Sequence, residues 1–248
     1  VNFSGNIVNQ KKLKYLKDTY NIKILEDCAH SLGATFEGIK AGSCENSDCS
    51  ILSFHPVKHL TTGEGGAITT NSKEIYEKLL ELRMHGMNRT SFKDESMSKD
   101  VKGNMNPWYY EMHSLGYNYR ITDFQCALGL SQFKKLDSFI QRRKEIAKNY
   151  DKAFLNSKIK PLYIFDDKSS YHLYVVKFDF SSISMSKAEL FNQMREKNIG
   201  LQLHYIPINK QPYYVSLGYG KENTPVMEKY YEECFSLPMY PLLSDEEQ

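Results

Sequence analysis

The sequence predicts an α/β protein whose first part carries a mainly parallel sheet and whose last part is a smaller α+β unit. Short apolar runs at residues 22–26, 50–54 and 66–70 alternate with stretches whose apolar residues recur at helical spacing. Beyond Pro161 the order changes to strand, helix, strand, helix without that regular alternation. The first run also leads into Asp27, and the second leads into a turn carrying Lys58. In an open α/β sheet both positions fall at the carboxyl edge, where ligands bind.

Taken in order, Leu13 and Leu16, with Tyr20 one turn further on, predict a helix over 9–20 that feeds strand 22–26. Strands 50–54 and 66–70 flank the lysine turn. A helix over 73–84 sets Ile75, Leu79 and Leu82 on one buried stripe. From 90 to 110 the composition turns polar, with Gly, Asn, Pro and many charges, and predicts a long surface loop of the kind that often has a function. Thr122 and Gln125 form a capping-box pattern that opens one long helix to about residue 154. Its expected buried side holds Phe124, Leu128, Leu136 and Ile140, with a bend at Gly129, a poor helix former. Strand 171–180, helix 186–198 stopped by Gly200, strand 201–205 and helix 225–234 follow. The boundary is expected near 154–161, dividing the chain into 1–155 and 156–248.

Composition excludes several classes of function. With 41% hydrophobic and 25% charged residues and a formal net charge of +2, the chain reads as an ordinary globular protein. Basic residues at 141–144 are followed by acidic ones, the pattern of a solvated helix face and not of a nucleic-acid surface. No apolar stretch approaches membrane length and no signal peptide is visible. The five cysteines, at 28, 44, 49, 126 and 234, are odd in number and irregular in spacing, which predicts reduced thiols in a cytoplasmic protein. Cys44 and Cys49 lack the further pair of ligands that a closed tetrahedral metal site needs, so no metal is expected.

The residues at the sheet edge define a chemistry. A lysine amine can hold an aldehyde cofactor as a Schiff base and, once displaced by a donor amine, can move protons between substrate carbon and cofactor. Lys58 suits this role. A carboxylate such as Asp27 keeps a pyridine nitrogen protonated, so that the ring accepts electrons. Ser53, five residues before the lysine, offers a hydroxyl to a cofactor phosphate. Together these residues point to pyridoxal phosphate.

Plainer readings stand beside these. A lysine in a turn is ordinarily a solvated charge, and Asp27 or Ser31 equally caps a following helix. His30 and His55 near strand ends are as readily structural, hydrogen-bonded residues. The glycines of 61–66 lack the Gly-Lys-Ser/Thr ending of a nucleotide-binding loop and so predict a tight turn. The aromatic cluster of Trp108, Tyr109, Tyr110, Tyr117 and Tyr119 reads as packing or a dimer seam.

The motifs EDCAHSLGA (26–34), SFHPVKHLTTGEGG (53–66), MHG (84–86) and LGYNYR (115–120) resemble the sugar-nucleotide aminotransferases of the DegT family, which are fold-type I pyridoxal phosphate enzymes. SFHPVK, with WYYEM at 108–112, is most similar to the pseudaminic-acid branch, which aminates a UDP-linked 4-keto-6-deoxy-N-acetylhexosamine. The resemblance runs almost from end to end. It implies that Lys58 is the Schiff-base lysine, Asp27 the partner of the pyridine nitrogen, His30 a neighbour of the ring and Ser53 a phosphate ligand. Asn118 would reach the phosphate of the neighbouring subunit's cofactor, so the expected unit is a homodimer with a shared site. Glutamate is the expected amino donor, and a nucleotide-linked keto-sugar the acceptor, with His204, Tyr205 and the loop after Thr90 as candidate substrate contacts.

The sequence departs from the family at Cys28, where alanine is common, and at His59, where proline or asparagine more usually follows the lysine. Members also carry, upstream of where this chain begins, a strand and a Gly-Thr/Ser helix N-terminus that grip the phosphate, and an aromatic residue that stacks on the ring. With no initiator methionine, and with a capping box at 244–247 that opens no helix, the sequence reads as a fragment lacking both ends and inactive alone. Two other functions fit the same fold. Relatives that dehydrate a sugar with this cofactor carry histidine in place of the lysine, which Lys58 argues against, and the Lys58–Asp27 pair argues against a non-catalytic regulator.

Overall fold

Local signals place the first elements, and the computed structural model describes residues 1–248 apart from the side chain of Glu95. Asn9 accepts the Lys12 N–H and opens α1 (Gln10–Tyr20), which Asn21 ends in the left-handed conformation. β1 (Leu25–Asp27) follows, then the hairpin of β2 (Thr35–Phe36) and β3 (Ile39–Lys40). β4 (Cys49–Ser53) lies between β1 and β5 (Gly66–Thr69), parallel to the first and antiparallel to the second. The sheet in this chain is therefore mixed. Residues 54–65 form the lysine turn and no crossover helix, so β5 returns antiparallel.

Ser72 caps α2 (Lys73–Leu82), whose Ile75, Leu79 and Leu82 are only half-buried. β6 (Met87–Asn88) and β7 (Glu111–Met112) pair at the base of the 90–110 loop. The loop is held from within: the Glu111 carboxylate accepts the N–H groups of Lys93 at 2.6 Å and Asp94 at 2.9 Å and the Tyr109 hydroxyl at 3.0 Å.

The Thr122–Gln125 capping box opens α3 (Asp123–Phe133) as expected, but the single long helix is two. It breaks at Lys134 and Lys135 ahead of α4 (Leu136–Phe154), and not at Gly129. Leu136 and Ile140 are buried, whereas Phe124 is 91% and Leu128 41% exposed. The reason lies one turn apart on α3. Gln125 donates to Glu64 O at 2.8 Å, and a Cβ on Gly129 would stand 2.9 Å from Thr62 Cγ2. The polar and small residues of α3 face the lysine loop, which turns Phe124 outward.

The second sheet is antiparallel, in the order β10-β9-β8, from β8 (Lys160–Pro161), β9 (Tyr174–Lys177) and β10 (Cys234–Leu237). Between β9 and β10 lie α5 (Lys187–Glu196), α6 (Pro212–Ser216) and α7 (Pro225–Glu233). Strand 201–205 is reduced to one bridge, Gln202 to Ser236 of β10. The main core joins Ile146, Ala147 and Tyr150 of α4 to Tyr174 and Val176 of β9, Phe235 of β10, and Leu201. Among the described residues no helix is long and apolar enough to cross a membrane, and no group of three His, Cys, Asp or Glu side chains could hold a metal.

The strand expected over 171–180 is shorter because 170–173 bonds elsewhere. Ser170 N–H donates to Gly5 O at 3.0 Å and Ser4 Oγ to Leu173 O at 2.8 Å. Gly5 sits at φ 102°, and a Cβ there would stand 2.4 Å from Tyr171 N. Gly5→Ala is expected to destabilise the protein by about 2–3 kcal/mol, through backbone strain and overpacking together. The measurement is a lower urea midpoint at unchanged slope; an unchanged midpoint would show that this seam yields.

Candidate active site

Parallel pairing sets Asp27 opposite Ile51, two residues before Ser53, so the ends of β1 and β4 lie side by side. Asp27 Oδ1 accepts the Ala29 N–H at 3.0 Å, a local turn that swings the chain toward His30. Ser53 is half-buried, and its Oγ accepts the His55 N–H at 3.4 Å, leaving the hydroxyl proton to donate.

The lysine turn is closed at both ends. Phe54 O accepts the Thr62 N–H at 3.0 Å and Thr61 Oγ1 at 3.1 Å, and Phe54 N–H donates to Gly65 O at 2.9 Å. Gly66 continues into β5, where a Cβ would stand 2.7 Å from Leu52 O. Inside the turn the Lys58 N–H donates to His55 O at 3.0 Å, while His59 is almost wholly buried. The lysine itself is half-buried, and among the described residues no carboxylate is within ion-pair distance of its ammonium. Burial pushes its amine below the ordinary lysine range, against the opposing pull of Asp27. Such an amine gives up its proton more easily and is the better nucleophile.

His30 adjoins this amine. Its ring lies 5.7 Å from that of Phe3 and 4.3 Å from that of His172, and its Nε2 is 3.5 Å from the Tyr205 hydroxyl. Burial first, then the charges of Lys58 and His204, lower its pKa to about 4, so the imidazole is neutral at pH 7. His204 Nδ1 is 2.9 Å from Ser236 Oγ, and Tyr230 OH donates to His204 O at 2.9 Å. Asp27, His30, Lys58, His204 and Tyr205 thus lie within electrostatic reach of one another.

Of the residues singled out in the sequence, Asp27, His30 and Lys58 come together, with Ser53 at the start of the same turn. Asn118 does not join them: it is exposed, bridges Met84, and has no contact with this group among the described residues. His55 is exposed, 3.9 Å from Glu64. Sequence reasoning missed His172 and Arg143, and read His59 only as a departure that alters how the loop meets substrate. A cavity of about 150 Å³ lined by Asn6, Thr35, Glu37, Asp166 and Lys168 shares no residue with the group.

Pyridoxal phosphate fits this donor set. Among the described residues the amine has no competing ion pair and the His30 Nδ1 is buried without a partner, a carboxylate lies within electrostatic reach of the amine, and Ser53 has a hydroxyl proton to give.

Residues 1–248 match the DegT/DnrJ/EryC1/StrS aminotransferase family. The UDP-4-amino-4,6-dideoxy-N-acetyl-beta-L-altrosamine transaminase of Campylobacter jejuni is 38% identical over 97% of this chain and 59% of its own length. Spore coat polysaccharide biosynthesis protein SpsC of Bacillus subtilis is 34% identical over 100% of this chain and 62% of its own. Among solved structures, Helicobacter pylori PseC, an aminotransferase involved in the biosynthesis of pseudoaminic acid, superposes with a TM-score of 0.86 at 31% identity, over 99% of this chain and 62% of that one. The putative sugar aminotransferase Spr1654 of Streptococcus pneumoniae in its PMP form gives 0.81 at 29% identity, over 99% and 63%. The chain thus spans about 60% of the length of these relatives.

Proposed function

The chain belongs to the DegT/DnrJ/EryC1/StrS aminotransferase family, whose cofactor is pyridoxal phosphate, and on that premise we propose that it serves the transamination of a nucleotide-linked keto-sugar with glutamate as amino donor. The acceptor we assign is UDP-4-keto-6-deoxy-N-acetylhexosamine, in nonulosonic-acid or polysaccharide synthesis, on the strength of the Campylobacter and Helicobacter relatives. The observation that carries the reading is Lys58: a half-buried amine without an ion partner among the described residues, in the turn after β4 and within electrostatic reach of Asp27 at the end of β1.

When bound, pyridoxal phosphate supplies an electron sink for the electrons released as a C–H bond breaks. The chain supplies the rest. Lys58 would hold the cofactor covalently and, when displaced, would move the proton between the donor or acceptor carbon and the cofactor. Asp27 keeps the pyridine nitrogen protonated. His30, neutral and fixed by its ring neighbours, would lie against the ring without adding charge, and Ser53 would donate to the phosphate. Asn118, exposed and apart from this group, acts across a homodimer on the partner's site. His204 and Tyr205 border the chamber on the acceptor side. The free thiols fit work in the cytoplasm.

The test is the absorbance spectrum of the full-length protein with pyridoxal phosphate, before and after glutamate. Conversion of the bound cofactor from its aldehyde to its amine form, reversed by the nucleotide keto-sugar, is the expected result. No conversion by any amino acid would overturn the proposal; conversion by another amino acid alone would overturn the choice of donor.

A further inference from the structure

Nδ1 of His30, Nδ1 of His59, Nδ1 of His172 and Nε of Arg143 are all buried and lack a hydrogen bond among the described residues, and all four belong to one contiguous cluster within electrostatic reach of Lys58. The His172 ring lies 4.3 Å from that of His30 and 5.3 Å from that of His59, and Arg143 donates to His172 O at 3.1 Å. Their exposures are 8%, 2%, 5% and 3% for His30, His59, His172 and Arg143. Buried polar atoms nearly always find partners, so four together in one place call for an account.

The geometry fixes part of it. His59 Nε2 is 3.0 Å from Ser170 O, and a carbonyl only accepts, so Nε2 carries the proton and Nδ1 is a lone pair. Ser170 is tied in turn to Gly5 O, so His59 nails the backbone that carries Lys58 to a distant part of the chain. His30 stands on the other side, within electrostatic reach of the Lys58 amine. His172 fills the space between the two.

We infer that His172 is a positioning residue for Lys58: the polarity of its wedged ring, and not its bulk alone, holds His30, on the cofactor side, and His59, which anchors the lysine's own backbone, in place around the amine. This rests on the reading of Lys58 as the cofactor lysine. The ionisable groups around that amine are Asp27 from β1, His30 from the turn after it, His59 from its own loop, His204 from the segment after α5, and His172 from the segment before β9, with Arg143 of α4 behind the last. A phenyl ring at 172 keeps the bulk of the wedge but puts an apolar ring in place of a polar one, so burial weighs more heavily on the Lys58 ammonium.

The experiment measures Lys58 in the cofactor-free full-length protein, by trace acetylation as a function of pH with peptide mass spectrometry. In His172→Phe the acetylation midpoint falls by at least about half a pH unit, and His172→Gln, which keeps a polar group, restores part of the shift. In the loaded protein the glutamate half-reaction slows about tenfold in rate with its half-saturating glutamate concentration little changed. A wild-type midpoint in His172→Phe, whatever its melting temperature, overturns the proposal by leaving His172 a packing role alone. If His172→Phe does not fold, His59→Asn, which removes the other flank of the wedge, is read by the same midpoint against the same criterion. Failure of wild-type protein to attach the cofactor at Lys58 would refute the functional reading separately, and the cofactor-free midpoints would still decide the role of His172.

Discussion

Lys58→Ala in the full-length protein abolishes covalent attachment of pyridoxal phosphate and lowers turnover by more than about 10⁴-fold, the upper end of what one positioned acid–base group supplies, because attachment is lost with it. The fold is expected to survive. The side chain is half-buried and makes no ion pair among the described residues, and the hydrogen bond from its N–H to His55 O belongs to the main chain. The urea midpoint should therefore stay near that of wild type while activity disappears. Lys58→Arg sharpens the test, since it keeps the charge but a guanidinium does not deprotonate to attack an aldehyde. Borohydride reduction followed by peptide mapping reads attachment directly. If the alanine variant still carries reduced cofactor on another lysine, the assignment of Lys58 fails, whatever the turnover.

The parts of this site that were legible in the sequence are those written in consecutive residues. The helices starting near Asn9 and Ser186, the capping box at Thr122, and the run from Asp27 to His30 each depend on neighbours within a few positions, where local rules apply. The lysine turn was legible for the same reason. What could not be read depends on contacts far apart in the chain. His59 meets Ser170 across 111 positions, and neither residue carries a pattern that announces the other. The helix break at Lys134 and Lys135 has no glycine or proline to mark it, whereas Gly129, which sequence rules single out, lies inside α3 because it packs on Thr62. α3 is apolar on several sides, so periodicity could not say which face is covered; Gln125 and Gly129 settle it by meeting the lysine loop. Cys234–Leu237 continues directly from α7, and only its register against β9 makes it a strand.

Acid is expected to unfold this protein in a window set by the buried imidazoles. Burial, with the neighbouring positive charges of Lys58, Arg143 and His204, lowers His30 to about 4 and His59 to about 3 and pushes His172 lower still, against about 6.5 in an unfolded chain. Because the folded pKa values are depressed, the stabilisation from neutral imidazoles is fully present above about pH 6.5 and is lost as pH falls toward the folded values. Each group then costs about 1.4 kcal/mol per pH unit, so three give up to about 4 kcal/mol per unit. For a total stability at the low end of the roughly 5–15 kcal/mol range, that slope brings unfolding near pH 5, and for a more stable fold it brings it lower. Carboxylates held low by hydrogen bonds, such as Glu111, lose their contribution only below about 4.5 and mark a separate, more acidic step. Urea unfolding at pH 7, 6 and 5 measures the slope, and His172→Phe should remove about a third of it without changing the step below pH 4.5. Equal stability at pH 7 and pH 5 in wild type would mean that these rings take up protons at no cost and are not sealed as the structure has them. The same closed, uncharged packing that holds His30 and His59 in place around Lys58 is thus what makes the fold give way in acid, and loosening it should trade acid sensitivity for a less well placed lysine.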